Sequence, residues 1–172
     1  PRARQLIDMR AKIAFDRGRP AAAEAPLREL LALDMADGRT DAVIMTSGNL
    51  AQTLLGLHRT DEARDLATRG HELAREKHGE HHPLTLAAAR KLAAVHMYAG
   101  DHAAMARMLA PLLAPARQRL GPKHPDTLGI LNYYASALQG LHRYEEAEPI
   151  FEELVQVQQQ QLGRLHPQVM MA

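Results

Sequence analysis

The stretch Gly79-Glu80-His81-His82-Pro83-Leu84-Thr85-Leu86 returns 42 residues later as Gly121-Pro122-Lys123-His124-Pro125-Asp126-Thr127-Leu128, and the same register places Gly163, His166 and Pro167 a further 42 residues on. Other columns keep step with it: Ile44, Leu86 and Leu128; Leu50, Leu92 and Tyr134; Ala51, Ala93 and Ala135. Several independent columns at one period mark a tandem repeat, in which each unit is a small structural module that stacks on its neighbours.

Within a unit the apolar residues recur at steps of three and four, as a helix requires. In the last unit these are Leu128, Leu131, Tyr134, Ala135 and Leu138, then Ala147, Ile150, Phe151 and Leu154, with Gly140-Leu141-His142-Arg143 as the turn between two helices. Gly163, before the last His-Pro, can end its helix in a left-handed conformation, and proline suits the first turn of the next helix, where its missing N–H costs nothing. His-Pro therefore marks helix starts. An earlier, shorter unit is visible because Gly18-Arg19-Pro20 followed by Ala23 parallels His58-Arg59-Thr60 followed by Ala63, 40 residues later. Its second helix ends in Asp37-Gly38-Arg39-Thr40-Asp41, without His-Pro. The reading is one array over residues 1–172, with units at about 4–43, 44–85, 86–127 and 128–169 and the start of a truncated fifth. The third unit is expected to be irregular. Pro111 and Pro115 fall inside its second helix, and an interior proline removes a hydrogen bond and clashes with the preceding turn, so a kink is predicted around Leu109 to Pro115.

Composition agrees with helices. The 46% apolar content comes mostly from Ala, Leu and Met, with six aromatics and no Trp, which favours helix over sheet. A net charge of +1 with no basic run argues against a nucleic-acid partner. The apolar runs are too short to span a bilayer, so no membrane association and a cytoplasmic location are expected. The lack of cysteine excludes thiolate chemistry and Cys-ligated zinc. A first residue Pro1 rather than Met suggests a piece of a larger protein.

Asn49-Leu50-Ala51, His58-Arg59-Thr60-Asp61-Glu62-Ala63 and, most clearly, Tyr134-Ala135 with Arg143-Tyr144-Glu145-Glu146-Ala147-Glu148-Pro149 resemble the tetratricopeptide repeat (TPR). The 42-residue spacing with Leu-Gly-x-x-His-Pro-x-Thr-Leu resembles the kinesin-light-chain type of that family. HEAT and armadillo arrays have similar periods, and the Tyr-Glu-Glu-Ala-Glu-Pro turn is what separates them from this chain. The resemblance implies an all-α fold, a right-handed superhelical solenoid of antiparallel helix pairs. Small residues such as Ala51, Ala93, Ala135, Ala63 and Ala147 would let paired helices approach closely.

The resemblance also implies a concave groove lined by the first helix of each pair, which takes up a protein or peptide. Counted from the packing positions, the groove-facing residues of the first two units are Asp8, Lys12, Asn49 and Gln52. Those of the later units are Arg90, Lys91, Ala94, Asn132, Tyr133, Ser136 and Gln139. Asn49 matches the asparagine that this family type often carries, and Lys91 and Tyr133 replace it in the next two units. Amides mixed with Lys12, Arg90 and Lys91 point to a ligand with some acidic character.

Chemistry finds little support. No Ser/His/Asp order, phosphate-binding glycine loop or nucleophile elbow is present, so neither enzymatic activity nor a cofactor is expected. His78-Gly79-Glu80-His81-His82 invites a zinc reading, but His82 belongs to the repeat turn, and three or four converging ligands are needed. His58, His102 and His142 are expected to be solvated at turns, and His96 to be packed. Met97, Met105 and Met108 read as gap-filling core. The function expected is therefore a scaffold or recognition module; the alternative is a regulatory sensor region of a bacterial kinase or transcription factor. End-to-end self-association is expected through Ile150, Phe151, Leu154 and residues 169–171.

Overall fold

The structure, a computed structural model, describes residues 2–162. The helices are α1 (Arg2–Asp16), α2 (Pro20–Ala36), α3 (Thr40–Gly56), α4 (Thr60–His78), α5 (Pro83–Tyr98), α6 (His102–Leu109), α7 (Leu113–Leu120), α8 (Pro125–Gly140) and α9 (Tyr144–Leu162). Among the described residues there is no strand. The chain folds as two compact units, Pro1–Ala99 and Gly100–Ala172. In the first, α1 packs on α2, α2 on α3, α3 on α4 and α4 on α5, and α3 also meets α5. In the second, α8 is central, packed on α6, α7 and α9. The alanine columns lie inside: Ala51, Ala63, Ala93 and Ala135 are all 0% exposed and Ala147 3%, which is what close helix approach requires.

Leu50, Leu54, Leu86 and Val95 fill the interior of the first unit, and Met105, Leu109, Ile130 and Leu138 that of the second, all fully buried. Each contributes roughly 1.5–3 kcal/mol by leaving water. Met105 is core as expected, Met108 is half-buried, and Met97 lies at the surface. His96 is half-buried.

The repeat motif has a physical explanation in the turns. Gly79 and Gly121 cap α4 and α7 with φ +83°, ψ 167° and φ +96°, ψ 155°. This is positive φ with extended ψ, not the left-handed conformation expected of a glycine in this place, and it is a region essentially closed to residues bearing a Cβ. His82 and His124 are N-caps of α5 and α8, their Nδ1 atoms accepting the N–H groups of Leu84 at 3.2 Å and Asp126 at 3.1 Å. Proline follows at the first helical position. The motif threonines are buried and donate backwards, Thr85 to the Gly79 carbonyl (2.8 Å) and Thr127 to that of Ala116 (3.1 Å). Gly-x-x-His-Pro-x-Thr is thus a helix stop, a helix cap and a tether in one stretch. Gly163 and His166-Pro167 lie outside the described residues.

Between helices of a hairpin the chain turns through one residue at positive φ, His58 and His142 both at +60°. There the N–H of the next residue reaches back to close the helix end, Arg59 to the Leu54 carbonyl and Arg143 to that of Leu138, both 2.9 Å. His142 also meets the Tyr144 hydroxyl at 2.7 Å. The irregularity expected at Pro111 and Pro115 is present. α6 ends at Leu109, Ala110–Leu112 tightens into a 3₁₀ turn, and α7 begins at Leu113 with Pro115 in its first turn.

Besides Met97, which lies at the surface and not in the core, two expectations need correction. His102 is not solvated: it is half-buried, with its Nδ1 atom shielded, and a Cβ at Gly140 would overlap its ring. The glycine at the end of α8 is what leaves room for it. Leu154 is only 8% exposed, because the helical turn carries it into the core of the second unit, while Ile150 is half-buried.

His71, half-buried on α4, carries a pH prediction. Desolvation lowers the pKa of its imidazole below the ordinary histidine value, and Arg75, one turn on, lowers it further. The unfolded chain therefore takes up the proton first. This group leaves stability unchanged well above about pH 6.5 and reduces it progressively as pH falls below that value. Urea titrations at about pH 7.5 and pH 5.5 should show a smaller loss for His71→Gln than for the parent chain. An equal loss in both would contradict the assignment.

Candidate peptide-binding face

The face predicted to bind is built, in the first unit, on α3 and α5. The buried side of α3 uses Ile44, Leu50, Ala51, Leu54 and Leu55, so helical geometry turns Met45, Asn49 and Gln52 outward. Met45 is 56% exposed, and Asn49 and Gln52 are half-buried. Arg90 and Lys91 are half-buried on α5, where Ala94 is buried. Asn49 and Lys91, one repeat apart, meet: the Lys91 ammonium donates to the Asn49 Oδ1 atom. Gly48 makes this possible, since a Cβ there would run into the aliphatic stem of Lys91. The replacement of the expected asparagine by Lys91 therefore joins two successive repeats of the first unit through a charge-assisted hydrogen bond instead of interrupting the row.

Beside this pair lies a cleft of about 220 Å³, lined by residues that include Arg4, Asp8, Arg39, Met45, Thr46 and Asn49. Asp34, 0% exposed, lies against it. Its Oδ2 atom accepts from the Thr46 hydroxyl at 3.1 Å, and the Arg4 guanidinium pairs with its carboxylate. Arg4 also reaches Asp37 at 3.4 Å. Sequence reasoning missed Arg4, Asp34 and Met45. The available signal was an acidic residue in a column that holds alanine at Ala74 and Ala116.

The other predicted residues divide. Asp8 joins Asn49 at the cleft, whereas Lys12 is exposed on α1. In the second unit Asn132 is exposed and Tyr133 and Ser136 are half-buried on α8. Gln139, exposed near the end of α8, also lines a wide groove along α9 with Tyr144, Glu148 and Phe151.

The histidine stretch is organised as a turn. His78 stacks on His82 with ring centroids 4.4 Å apart, and Asp41 accepts from Lys77 and from the His78 Nε2 atom, both at 2.8 Å. The Lys77 hydrogen bond, then that of His78, holds the Asp41 carboxyl below its ordinary pKa. Among the described residues no three His, Asp or Glu side chains gather as a metal ion would require, and no helix is long and apolar enough to cross a membrane.

Tandem hairpins in a 42-residue register are what the family comparison also recognises. A tetratricopeptide repeat model matches residues 41–109 and 87–160. The chain belongs to the tetratricopeptide repeat family. Structural likeness refines the type of fold. A Podosopora anserina protein of kinesin-light-chain type with nearly identical TPR-like repeats matches with TM-score 0.78 at 22% identity, over 99% of this chain and 81% of that one. A methionine-substituted variant of that protein gives TM-score 0.79 with the same identity and coverage. BtubC (BKLC) from P. vanneervenii matches with TM-score 0.78 at 16% identity, over 95% of this chain and 66% of that one. No curated protein matches. The fold of this TPR protein is therefore that of kinesin-light-chain-like repeats.

Proposed function

We propose that this TPR protein is a scaffold or recognition module that holds a protein or peptide along the first-helix rows of its units and performs no chemistry of its own. The observation that carries the reading is the Lys91–Asn49 contact, with Arg90 beside it and Gln52 one turn along α3. An amide and an ammonium in one row can bind a peptide carbonyl or carboxylate together, and a half-buried lysine loses less on exchanging one oxygen partner for another than on being stripped of both. Asn132 and Ser136 offer the same kind of polar surface on α8. The ligand that fits is an extended segment with acidic side chains.

Fluorescence anisotropy with acidic peptides selected from a random library tests this. Lys91→Glu combined with Arg90→Glu should weaken binding by about tenfold or more, since each reversal sets like charges against the ligand. Arg64→Glu, on exposed α4, should change it little. Equal losses from the two sites would mean unspecific charge attraction, and no loss from the Lys91 and Arg90 pair would rule out this face.

A further inference from the structure

We propose that the turn joining α4 to α5 is a pH-sensitive clamp, closed while at most one of the stacked histidines His78 and His82 carries a proton and open when both do. Three helices of the first unit meet at this turn. Asp41 comes from the first turn of α3, Lys77 and His78 from the last turn of α4, and His82 is the N-cap of α5. Ile44, Ala74 and Ala88, one from each of these helices, form a buried cluster with Leu73 and Leu84 packed against it. Opening the turn therefore loosens the start of α5 from both α3 and α4.

The two imidazoles use opposite nitrogens. His82 accepts the Leu84 N–H on Nδ1 at 3.2 Å, so that nitrogen keeps its lone pair and the ring proton sits on Nε2. His78 donates from Nε2 to the Asp41 Oδ1 atom at 2.8 Å, which leaves its Nδ1 to take the next proton. A proton there turns the Asp41 contact into an ion pair and leaves the cap of α5 intact. A second proton, on His82 Nδ1, occupies the lone pair that caps α5 and points a donor at the Leu84 N–H. It also sets two positive rings 4.4 Å apart with only 15° between their planes. Asp41 cannot offset both charges, since the same Oδ1 atom already accepts from Lys77 at 2.8 Å. The other titratable groups of the turn are exposed Glu80 and His81; the Glu80 charge acts on His71, and a proton on His81 adds a further positive charge.

The turn between α7 and α8 is an internal comparison. His124 caps α8 as His82 caps α5, but Leu120 stands where α4 has His78. The Asp126 carboxylate lies 3.8 Å from the His124 Nδ1 atom, so a proton there meets a countercharge instead of a second ring. Acid should open the first turn and largely spare the second. Its consequence for ligand binding rests on the proposed face: Arg90 and Lys91 follow His82 by about two turns of α5, so the clamp governs the helix that carries them.

Amide hydrogen exchange of the 172-residue chain, followed by NMR at about pH 7.5 and 5.5 and corrected for intrinsic rates, tests this. No ligand is involved, so the result is independent of the binding reading. Protection of Leu84, and of Leu86, whose N–H meets the His82 carbonyl at 3.0 Å, should fall about tenfold or more in acid. Protection of Leu128, whose N–H meets the His124 carbonyl at 3.0 Å, should fall by less than about threefold. His82→Asp supplies a cap whose acceptor survives at both pH values and should abolish the loss at the first turn. His78→Gln keeps a donor for Asp41, removes the second charge and should reduce that loss. Equal losses at the two turns, or no loss at either, would overturn the proposal. So would a loss as large in His82→Asp or in His78→Gln as in the parent chain.

Discussion

Arg4→Met should destabilise the first unit on the order of 3 kcal/mol, because it leaves a buried carboxylate without its countercharge. Asp34 is fully buried, and its neighbours supply one hydroxyl donor, Thr46, besides the Arg4 guanidinium. With Arg4 gone the carboxylate must stay charged in a poor environment, take up a proton or drag water inward. The defect should be curable. The column that Asp34 occupies holds Ala74 and Ala116, both 0% exposed, so alanine fits there by precedent within this chain. Arg4→Met with Asp34→Ala should therefore recover to within about 1 kcal/mol of the parent, giving strong coupling between the two positions. Urea denaturation of the four chains measures it, and additive losses would show that the pair is not the unit of stability.

Gly121→Ala should cost about 2–3 kcal/mol, since φ +96° with ψ 155° lies where an L side chain collides with its own backbone. Gly100→His should cost less than about 1 kcal/mol. Gly100 has φ +69°, and histidines occupy the matching hairpin turns at His58 and His142 with φ +60°. Thermal denaturation of the two variants separates these turn types. Comparable losses would mean that the glycine before His-Pro is replaceable and the motif is not the backbone device described above.

The parts of the fold legible in the sequence were those in which one residue type meets one local need. Glycine at a helix stop, histidine as a cap with proline behind it, and alanine at a close helix approach all recur at a fixed spacing, so the pattern declares itself. Pro111 and Pro115 were readable for the same reason: their effect is on their own backbone. What was not legible depends on partners that spacing does not reveal. Arg4 and Asp34 come from different helices, and a carboxylate in the interior looks like surface until its countercharge is placed. His102 looked like a turn residue because nothing in its neighbourhood signals that Gly140 would admit its ring. Leu154 was placed on the outer surface by its membership of an apolar run, although the side of α9 that faces outward is set by Tyr144, Phe151 and Val155.

The candidate face was half legible. Resemblance brought Asn49 and Lys91 forward as members of one row. Their direct contact, and the dependence of that contact on Gly48, required coordinates. Gln139, counted onto the same row, is exposed near the end of α8 and also lines the α9 groove.

The most direct test of the binding role is the position of a bound peptide. A photo-reactive residue introduced at Gln52 on the α3 row, and separately at exposed Arg69 on α4, can be cross-linked to a selected acidic peptide and the products identified by mass spectrometry. The first-helix row predicts cross-linking from position 52 that excess unlabelled peptide abolishes, with none from position 69. Specific cross-linking from position 69 alone would place the ligand on the second helices and contradict the account.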